Sequence, residues 1–257
     1  MIVRKTPDEI EKMAEAGRVL ARCLTLLRAK TRAGVTTGEL DKAAEKFIRS
    51  QGGEPAFKGY RGFPGSICAS PNSMVVHGIP GPYKLGRGDI LSIDVGVILD
   101  GWVADAAITV PVGNVTPVAK RLLATTRAAL FDAVEQCRPG KRLGDLGHAV
   151  QQRVESDEFS VVRSLVGHGI GRDMHEDPQI PNYGEPGTGE KLEEGMVLAV
   201  EPMVNVGNHP IRVAADNWSV YSQDGSLAAH FEHTVAITAE GPRILTPWHL
   251  ESAAEAA

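Results

Sequence analysis

The chain has 257 residues, of which 42% are hydrophobic and 23% charged, and its formal net charge is −5. These values are typical of a globular protein that buries one large core or two smaller ones. The negative charge argues against nucleic acid as the main partner, because binding to phosphates needs an excess of Lys and Arg.

Two helices are predicted at the start of the chain. Thr6-Pro7-Asp8-Glu9 is typical of a capping box, with Thr6 as the N-cap and Glu9 three residues later, and an apolar stripe follows as far as Leu27. A second capping signal, Thr36 with Glu39, begins a helix that Gly52-Gly53 would end. The periodicity then changes, and it predicts strands at 66–70, 74–77, 89–99 and 102–110.

The same order of elements returns in the second part of the chain. Thr116-Pro117 begins a helix that ends at Pro139-Gly140, and a shorter helix runs from about Asp145 to Val154. Strands are predicted at 161–166, 196–206, 218–222 and 230–238. This repetition predicts an α+β fold in one domain, 1–257, with two related halves, about 6–112 and 113–247, around one mixed sheet with helices over one face.

One predicted hairpin carries a pair of carboxylates. Asp100-Gly101 between apolar strands favours a two-residue type I′ turn, which places Gly96 opposite Asp105. Asp94 lies on the same face, diagonal to Asp105 and within roughly 7–8 Å at the backbone, and Gly96 should leave open space between them. Exposed strand aspartates are the alternative, but apolar neighbours favour burial, where a divalent cation would relieve the repulsion.

A second group of candidate ligands lies in the other half. His168 and His175 are predicted to lie in a Gly-rich loop, 167–178, in which the glycines and Pro178 prevent a zinc-binding helix. Glu201 ends an apolar run, and Glu232 interrupts a predicted strand. Two Asp, two Glu and one His would suit Mn²⁺, Fe²⁺ or Co²⁺, with Zn²⁺ also open, and two such ions about 3.5–4 Å apart can activate water and polarise a carbonyl.

The cysteines bear on the cellular compartment. Their number is odd and no Cys-x-x-Cys pair occurs, so neither a disulfide framework nor a structural zinc site is predicted; they are Cys23, Cys68 and Cys137. Neither the apolar core of a signal peptide nor a run of membrane-spanning length is present. We therefore expect a reduced, cytoplasmic protein with no membrane partner.

The motifs around the candidate ligands resemble those of the type I methionine aminopeptidases, whose pita-bread fold is shared with prolidase and creatinase. The resemblance runs from about Thr6 to Pro247 and implies the compact bacterial form, with two pseudo-symmetric halves around a mostly antiparallel, curved sheet covered by helices. It rests on five motifs in the family's order: Val76-His77-Gly78-Ile79-Pro80, Asp94 followed by Asp100-Gly101 and Asp105, Gly167-His168-Gly169-Ile170-Gly171, Glu201-Pro202-Met203 and Phe231-Glu232-His233-Thr234.

The resemblance implies a centre of two divalent ions, Co, Mn, Fe(II) or Zn. Asp94 resembles the bidentate ligand of one ion, and Asp105 and Glu232 resemble the bridging ligands. His168 and Glu201 resemble ligands of the other ion. The reaction it implies is removal of the initiator methionine from nascent proteins, with a preference for a small second residue, by a hydroxide that bridges the metals and attacks the scissile carbonyl.

Further residues match catalytic and binding positions of that family. Glu201 is also similar to its proton-transfer carboxylate, and His77 and His175 match the two histidines that bind the substrate amide and stabilise the tetrahedral intermediate. An apolar, partly sulfur-lined slot would suit the methionine side chain. Tyr60, Phe63, Cys68 and Trp218 match its lining, with ordinary core packing as the alternative for each.

The chain departs from the family pattern at three places. Met174 stands where an aromatic residue is common, Phe57 replaces a cysteine of some members, and Ala106-Ala107-Ile108 replaces a more polar run. The resemblance makes nascent N-termini the expected partner, with the ribosome as a further one. A monomer is expected because no large apolar helical face is left unused. Two alternatives stay open: an X-Pro peptidase, which usually has an extra N-terminal domain, and a non-catalytic adapter, which would have lost metal ligands.

Overall fold

The computed structural model describes residues 1–250. Within them, four α-helices and fifteen strands form, with a single 3₁₀ turn at Tyr60–Gly62. The helices are α1 (Pro7–Lys30), α2 (Thr37–Ser50), α3 (Pro117–Gln136) and α4 (Leu143–Ser156). The strands are β1 (Glu54–Pro55), β2 (Cys68–Pro71), β3 (Met74–Val76), β4 (Ile90–Leu99), β5 (Trp102–Pro111), β6 (Ser160–Val161), β7 (Gly167–Gly169), β8 (Glu176–Ile180), β9 (Val197–Val200), β10 (Met203–Asn205), β11 (Ile211–Val213), β12 (Val220–Ser222), β13 (Ala228–His230), β14 (His233–Thr238) and β15 (Gly241–Ile244).

The helix starts follow their capping signals. The Thr6 hydroxyl accepts the Glu9 N–H at 3.3 Å and the Glu9 carboxylate accepts the Thr6 N–H at 2.9 Å, and Thr36 and Glu39 form the same pair of bonds. Both predicted capping boxes are therefore confirmed. The fourth helix begins two residues earlier than predicted, because Asp145 is not its first residue: its carboxylate reaches back to the N–H of Arg142, the residue before the helix.

The strands pair in antiparallel ladders that divide among four sheets. The expected α+β, mostly antiparallel fold class is confirmed, but a single mixed sheet does not form. One sheet of the first half has the order β1-β4-β2 with β5 paired to β4, and the longest sheet of the second half has the order β15-β14-β9-β7-β8. The two smaller sheets have the orders β13-β10-β6 and β11-β12-β3.

Three predicted strands are interrupted or shortened. The prediction at 161–166 was wrong for most of its length, since β6 ends at Val161. The strands predicted at 196–206 and 230–238 each divide into two, at Glu201-Pro202 and at Phe231-Glu232. In both, the chain leaves one sheet and enters another, because β9 and β14 pair with each other while β10 and β13 pair in a different sheet.

The core of the first half fixes the orientation of the β4–β5 hairpin. Helix α1 packs against both strands, and Leu20 and Leu24 on its inner face are fully buried with Ile93 and Val95 of β4. Side chains alternate across a strand, so Asp94 and Gly96 lie on the opposite face, away from α1.

The assignment of 1–257 to one domain, with two related halves that meet near residue 112, stays a prediction. No helix within residues 1–250 is both long and apolar enough to cross a lipid bilayer.

Candidate metal centre

The β4–β5 hairpin brings Asp94 and Asp105 together as predicted. Both turn residues have positive φ, 50° at Asp100 and 74° at Gly101, which is the type I′ conformation. Leu99 pairs with Trp102 and Gly96 with Asp105, so the register is the one derived from the turn. Asp94 is 9% and Asp105 5% exposed. Burial of both carboxylates favours the ligand interpretation over that of exposed strand aspartates.

Glu232 is held beside Asp105 by hydrogen bonds to the backbone groups of both residues. The Glu232 N–H donates to the carbonyl of Ala107 at 2.9 Å, and the indole N–H of Trp248 donates to the Glu232 carbonyl at 2.9 Å. The Thr234 hydroxyl donates to the Asp105 carbonyl at 2.7 Å and accepts the Asp105 N–H at 3.0 Å. These bonds fix the position of β5 relative to the break between β13 and β14.

His168 completes a compact cluster with two of the carboxylates. It lies in strand β7 rather than in the predicted loop, and its Nδ1–H donates to the carbonyl of Gly169 at 2.8 Å. That bond leaves the Nε2 lone pair available as a metal ligand. Ligand atoms of Asp105, His168 and Glu232 lie within 4.8 Å of one another, and His168 Nε2 is 3.6 Å from Glu201 Oε1.

The four carboxylates share a pocket that disfavours their ionised forms. Burial raises the pKa of Asp94 to about 7 and that of Glu201 to about 8. Burial, with the added repulsion of neighbouring carboxylates, raises the pKa values of Asp105 and Glu232 well above their usual range. Burial also lowers the pKa of His168 to about 4, so this imidazole supplies no compensating charge at neutral pH.

The residues fit divalent cations. Three buried carboxylate oxygens have no hydrogen-bond partner within residues 1–250: Asp94 Oδ1, Asp105 Oδ1 and Glu232 Oε1. Buried polar atoms are normally paired, and a cation would pair these oxygens and offset the repulsion between them. A donor set of carboxylates and one or more imidazoles suits first-row divalent ions. Asp94, Asp105, His168, Glu201 and Glu232 all line one cavity.

The two further predicted histidines line the same cavity. His77 follows β3 with a φ of 58°, an uncommon conformation for a residue with a side chain, and burial lowers its pKa to about 4. His175 Nδ1 is 2.8 Å from the Tyr60 hydroxyl. Its ring lies 4.2 Å from that of His168, and burial together with nearby Arg61 lowers its pKa.

An apolar slot opens next to the carboxylates. The cavity has a volume of about 170 Å³, and its apolar wall includes all four predicted slot residues. Phe63 and Trp218 contact each other edge to face with their ring centres 5.1 Å apart, and Cys68 pairs with Asp94 across β2 and β4. These residues, with Phe57, form the wall: Phe57, Tyr60, Phe63, Cys68 and Trp218.

The expected open space at Gly96 is not present. A Cβ at Gly96 would lie 2.8 Å from Phe57 Cε1, 2.9 Å from Ala56 Cβ and 2.9 Å from Met174 Cε. Glycine is required there because these side chains pack directly on the backbone. Met174 and Phe57, two departures from the family pattern, therefore fill the space above β4, whereas Ala106-Ala107-Ile108 lies buried in β5 beside β4.

Sequence reasoning missed one buried histidine in this region. His230, the last residue of β13, is 1% exposed, and its Nε2 lies 3.6 Å from Glu201 Oε2 and 4.0 Å from Glu232 Oε2. A single histidine in an apolar strand is ordinarily structural, so the sequence pattern did not predict a functional role for His230. Its position two residues before Glu232 was the only local signal.

Comparison with known proteins identifies the family of this chain. Residues 11–239 match metallopeptidase family M24. Methionine aminopeptidase 1 of Bacillus subtilis is 52% identical over 96% of this chain and 99% of its own length. The crystal structure of methionine aminopeptidase from Rickettsia prowazekii superposes with a TM-score of 0.94, at 44% identity, over 96% of this chain and all of that one.

A more distant structure shares the fold only. Prolidase from Pyrococcus furiosus superposes with a TM-score of 0.77 at 24% identity, and the match covers 95% of this chain but 65% of the prolidase chain. The pita-bread architecture is thus common to both, while the high identity and near-complete mutual coverage are with the methionine aminopeptidases. The chain belongs to metallopeptidase family M24, and within it to the methionine aminopeptidases.

Proposed function

We propose that this chain removes the N-terminal methionine from nascent proteins and peptides, in a reaction that depends on divalent metal ions. The observation that supports this most directly is the position of a small apolar slot beside four buried carboxylates. The whole cavity, carboxylates and apolar wall together, has a volume of about 170 Å³, close to that of cavities that hold one benzene-sized group. It therefore suits a single side chain and leaves the peptide to extend outward.

Two ions, of Mn²⁺, Fe²⁺, Co²⁺ or Zn²⁺, are proposed at the carboxylates. Asp94 would hold one ion, Asp105 and Glu232 would bridge, and His168 and Glu201 would hold the other. When bound, such ions lower the pKa of water and polarise a carbonyl group. Four carboxylates balance two divalent charges, which explains why a protein can keep these groups buried together.

His77 and His175 are proposed to bind the substrate amide. Both imidazoles have lowered pKa values, so they are neutral at neutral pH and act as hydrogen-bond donors or acceptors rather than as cations. For His175, the Tyr60 hydroxyl would donate to Nδ1, which leaves the Nε2–H free to donate to substrate. Donors of this kind stabilise the oxyanion that forms at the attacked carbonyl.

Glu201 is proposed to accept and return a proton during the reaction. Its carboxylate lines the cavity beside the proposed ions, where it can accept a proton and later return it. Its two oxygens lie between the imidazoles of His168 and His230.

We further propose that the enzyme prefers substrates with a small second residue. We also propose that it is a cytoplasmic monomer and that it meets its substrates at the ribosome.

Peptide cleavage after metal exchange tests the proposal. Purified protein is treated with chelator, supplied in turn with Mn²⁺, Fe²⁺, Co²⁺ or Zn²⁺, and assayed for free methionine from Met-Ala-Ser. Metal-restored release is expected in wild type and in Glu15→Ala, which removes an exposed carboxylate of α1. Asp105→Ala should lose both turnover and stoichiometric metal.

Each alternative function predicts a different result in this assay. An X-Pro peptidase would ignore Met-Ala-Ser and release the residue before proline. A folded protein that cleaves nothing with any ion would indicate the non-catalytic adapter. Two metals bound by Asp105→Ala would contradict the bridging role of Asp105 without contradicting the reaction.

A further inference from the structure

His230 is a buried imidazole without a partner of its own. Its main chain is fixed, because the Thr109 hydroxyl donates to the His230 carbonyl at 2.8 Å and accepts its N–H at 2.9 Å. The ring is 1% exposed, and neither Nδ1 nor Nε2 has a hydrogen-bond partner within residues 1–250. Burying a polar group without a hydrogen bond costs free energy. We therefore expect this ring to bind a further group.

The position of the ring identifies that partner. His230 Nε2 is 3.6 Å from Glu201 Oε2, and His168 Nε2 is 3.6 Å from Glu201 Oε1, so the two imidazoles flank one carboxylate, one at each oxygen. Glu232 Oε2 is 4.0 Å from His230 Nε2. These separations are too long for hydrogen bonds. They match two atoms that each lie about 2.0–2.2 Å from a shared ion and hence roughly 3–4 Å apart.

We propose that His230 Nε2 is a sixth protein ligand of the metal centre. The inference rests on the proposed metal-dependent function and changes the donor set, since the centre would have two imidazoles instead of one. Imidazole favours Zn²⁺ and Co²⁺ over Mn²⁺ more strongly than carboxylate does. His230 therefore biases this chain toward the later first-row ions.

A positioning role is the competing explanation. In that case His230 would donate a hydrogen bond to Glu201 or Glu232 and orient the carboxylate without touching the ion. Loss of an outer partner can also weaken metal binding by about 10–100-fold, so affinity for one metal does not separate the two roles. The ¹⁵N chemical shift of His230 Nε2 does separate the two roles, because a metal ligand moves to the metal-bound position and a hydrogen-bond donor does not.

Nuclear magnetic resonance of ¹⁵N-histidine-labelled protein, titrated with Zn²⁺, provides the test. Two histidines are expected to move to the metal-bound position at Nε2, and His168→Gln and His230→Gln should each remove one of them. His209→Gln, which replaces an exposed histidine, should leave both. A single shifted histidine in wild type would overturn the proposal, and that count needs no folded variant.

Metal competition provides a second readout. His230→Gln should reduce the preference for Zn²⁺ over Mn²⁺ by about tenfold or more, whereas equal weakening of both ions would overturn the proposal in favour of positioning. Cleavage of Met-Ala-Ser is followed in the same samples. If the protein is active but only one histidine shifts, His230 is not a ligand and the proposed function stands. If two histidines shift but the protein is inactive, His230 is a ligand and the proposed function is wrong.

Discussion

A buried ion pair joins the N-terminal segment to the loop that carries His175. Lys5 Nζ is 2.5 Å from Glu176 Oε2, and the two side chains are 2% and 10% exposed. The other oxygen of Glu176 accepts the backbone N–H groups of Arg172 at 2.9 Å and Asp173 at 3.3 Å. One carboxylate thus pairs with a buried cation and also orders the turn that leads into His175.

Removing either charge should be costly. Lys5→Met leaves the Glu176 carboxylate without its cation, and Glu176→Gln leaves a buried ammonium group without an anion. Each change is expected to lower the free energy of unfolding by about 3–5 kcal/mol. Because the amide introduced by Glu176→Gln keeps an oxygen for the loop N–H groups, that variant isolates the charge. The double variant should cost clearly less than the sum of the two.

Denaturant unfolding followed by circular dichroism measures these changes. The neighbouring pair Arg4–Glu193 is a matched control, because its N–O distance is 3.0 Å but its side chains are 58% and 50% exposed. Arg4→Met should cost less than about 1 kcal/mol. The reasoning would be refuted if Lys5→Met cost no more than Arg4→Met, or if the effects of Lys5→Met and Glu176→Gln were additive.

Three further predictions concern the site and the core. His77→Ala should slow turnover by roughly 10²–10³ with metal content unchanged, and loss of metal would instead identify His77 as a ligand. Burial raises the pKa of every thiol, so none should react with Ellman's reagent before unfolding, and early reaction would contradict the buried placement of Cys23, Cys68 and Cys137. The pKa values of about 7 at Asp94 and about 8 at Glu201 mean that the cation-free folded protein keeps protons that the unfolded chain loses above about pH 4. These carboxylates therefore contribute stability that is fully present below about pH 4 and is lost as the pH rises to about 8. Burial lowers the pKa of His77 and of His168 from 6.5 to about 4, which weakens the fold only below about pH 6.5. The unfolding free energy of the cation-free protein should therefore fall between about pH 6.5 and about pH 8, a decline that Zn²⁺ should abolish; a flat profile over that range in thermal melts without metal would count against the buried carboxylates.

Features encoded over a few residues could be predicted from the sequence. The capping boxes at Thr6 and Thr36 each need only a hydroxyl and a carboxylate three residues later. The pairing of Gly96 with Asp105 follows from the Asp100-Gly101 turn, because a two-residue turn determines the register of both strands. No local pattern connects His168, Glu201 and Glu232 with the two aspartates. Their assignment as ligands came from the resemblance to a known family.

Features that depend on distant neighbours could not be predicted. Gly96 was expected to leave space, yet Phe57 and Met174 fill it from other segments of the chain. His230 lies in an ordinary apolar strand, and only the folded structure shows that its ring lies 3.6 Å from the carboxylate of Glu201, which belongs to a different segment of the chain. Alternation of apolar residues carries no information on either contact.

The strand breaks explain why hydrophobic periodicity does not reveal the metal-ligand candidates of the second half. Glu201 and Glu232 each lie where the chain leaves one sheet for another, so their backbone groups are not bound in the ladders of the adjoining strands. Pro202 has no N–H to give to a ladder, and the Glu232 N–H goes instead to Ala107 of the other half. A carboxylate at such a break can approach Asp105 from outside its sheet. The site is therefore built at the junction of sheets, where long-range pairing determines position and the local pattern indicates only a continuous strand.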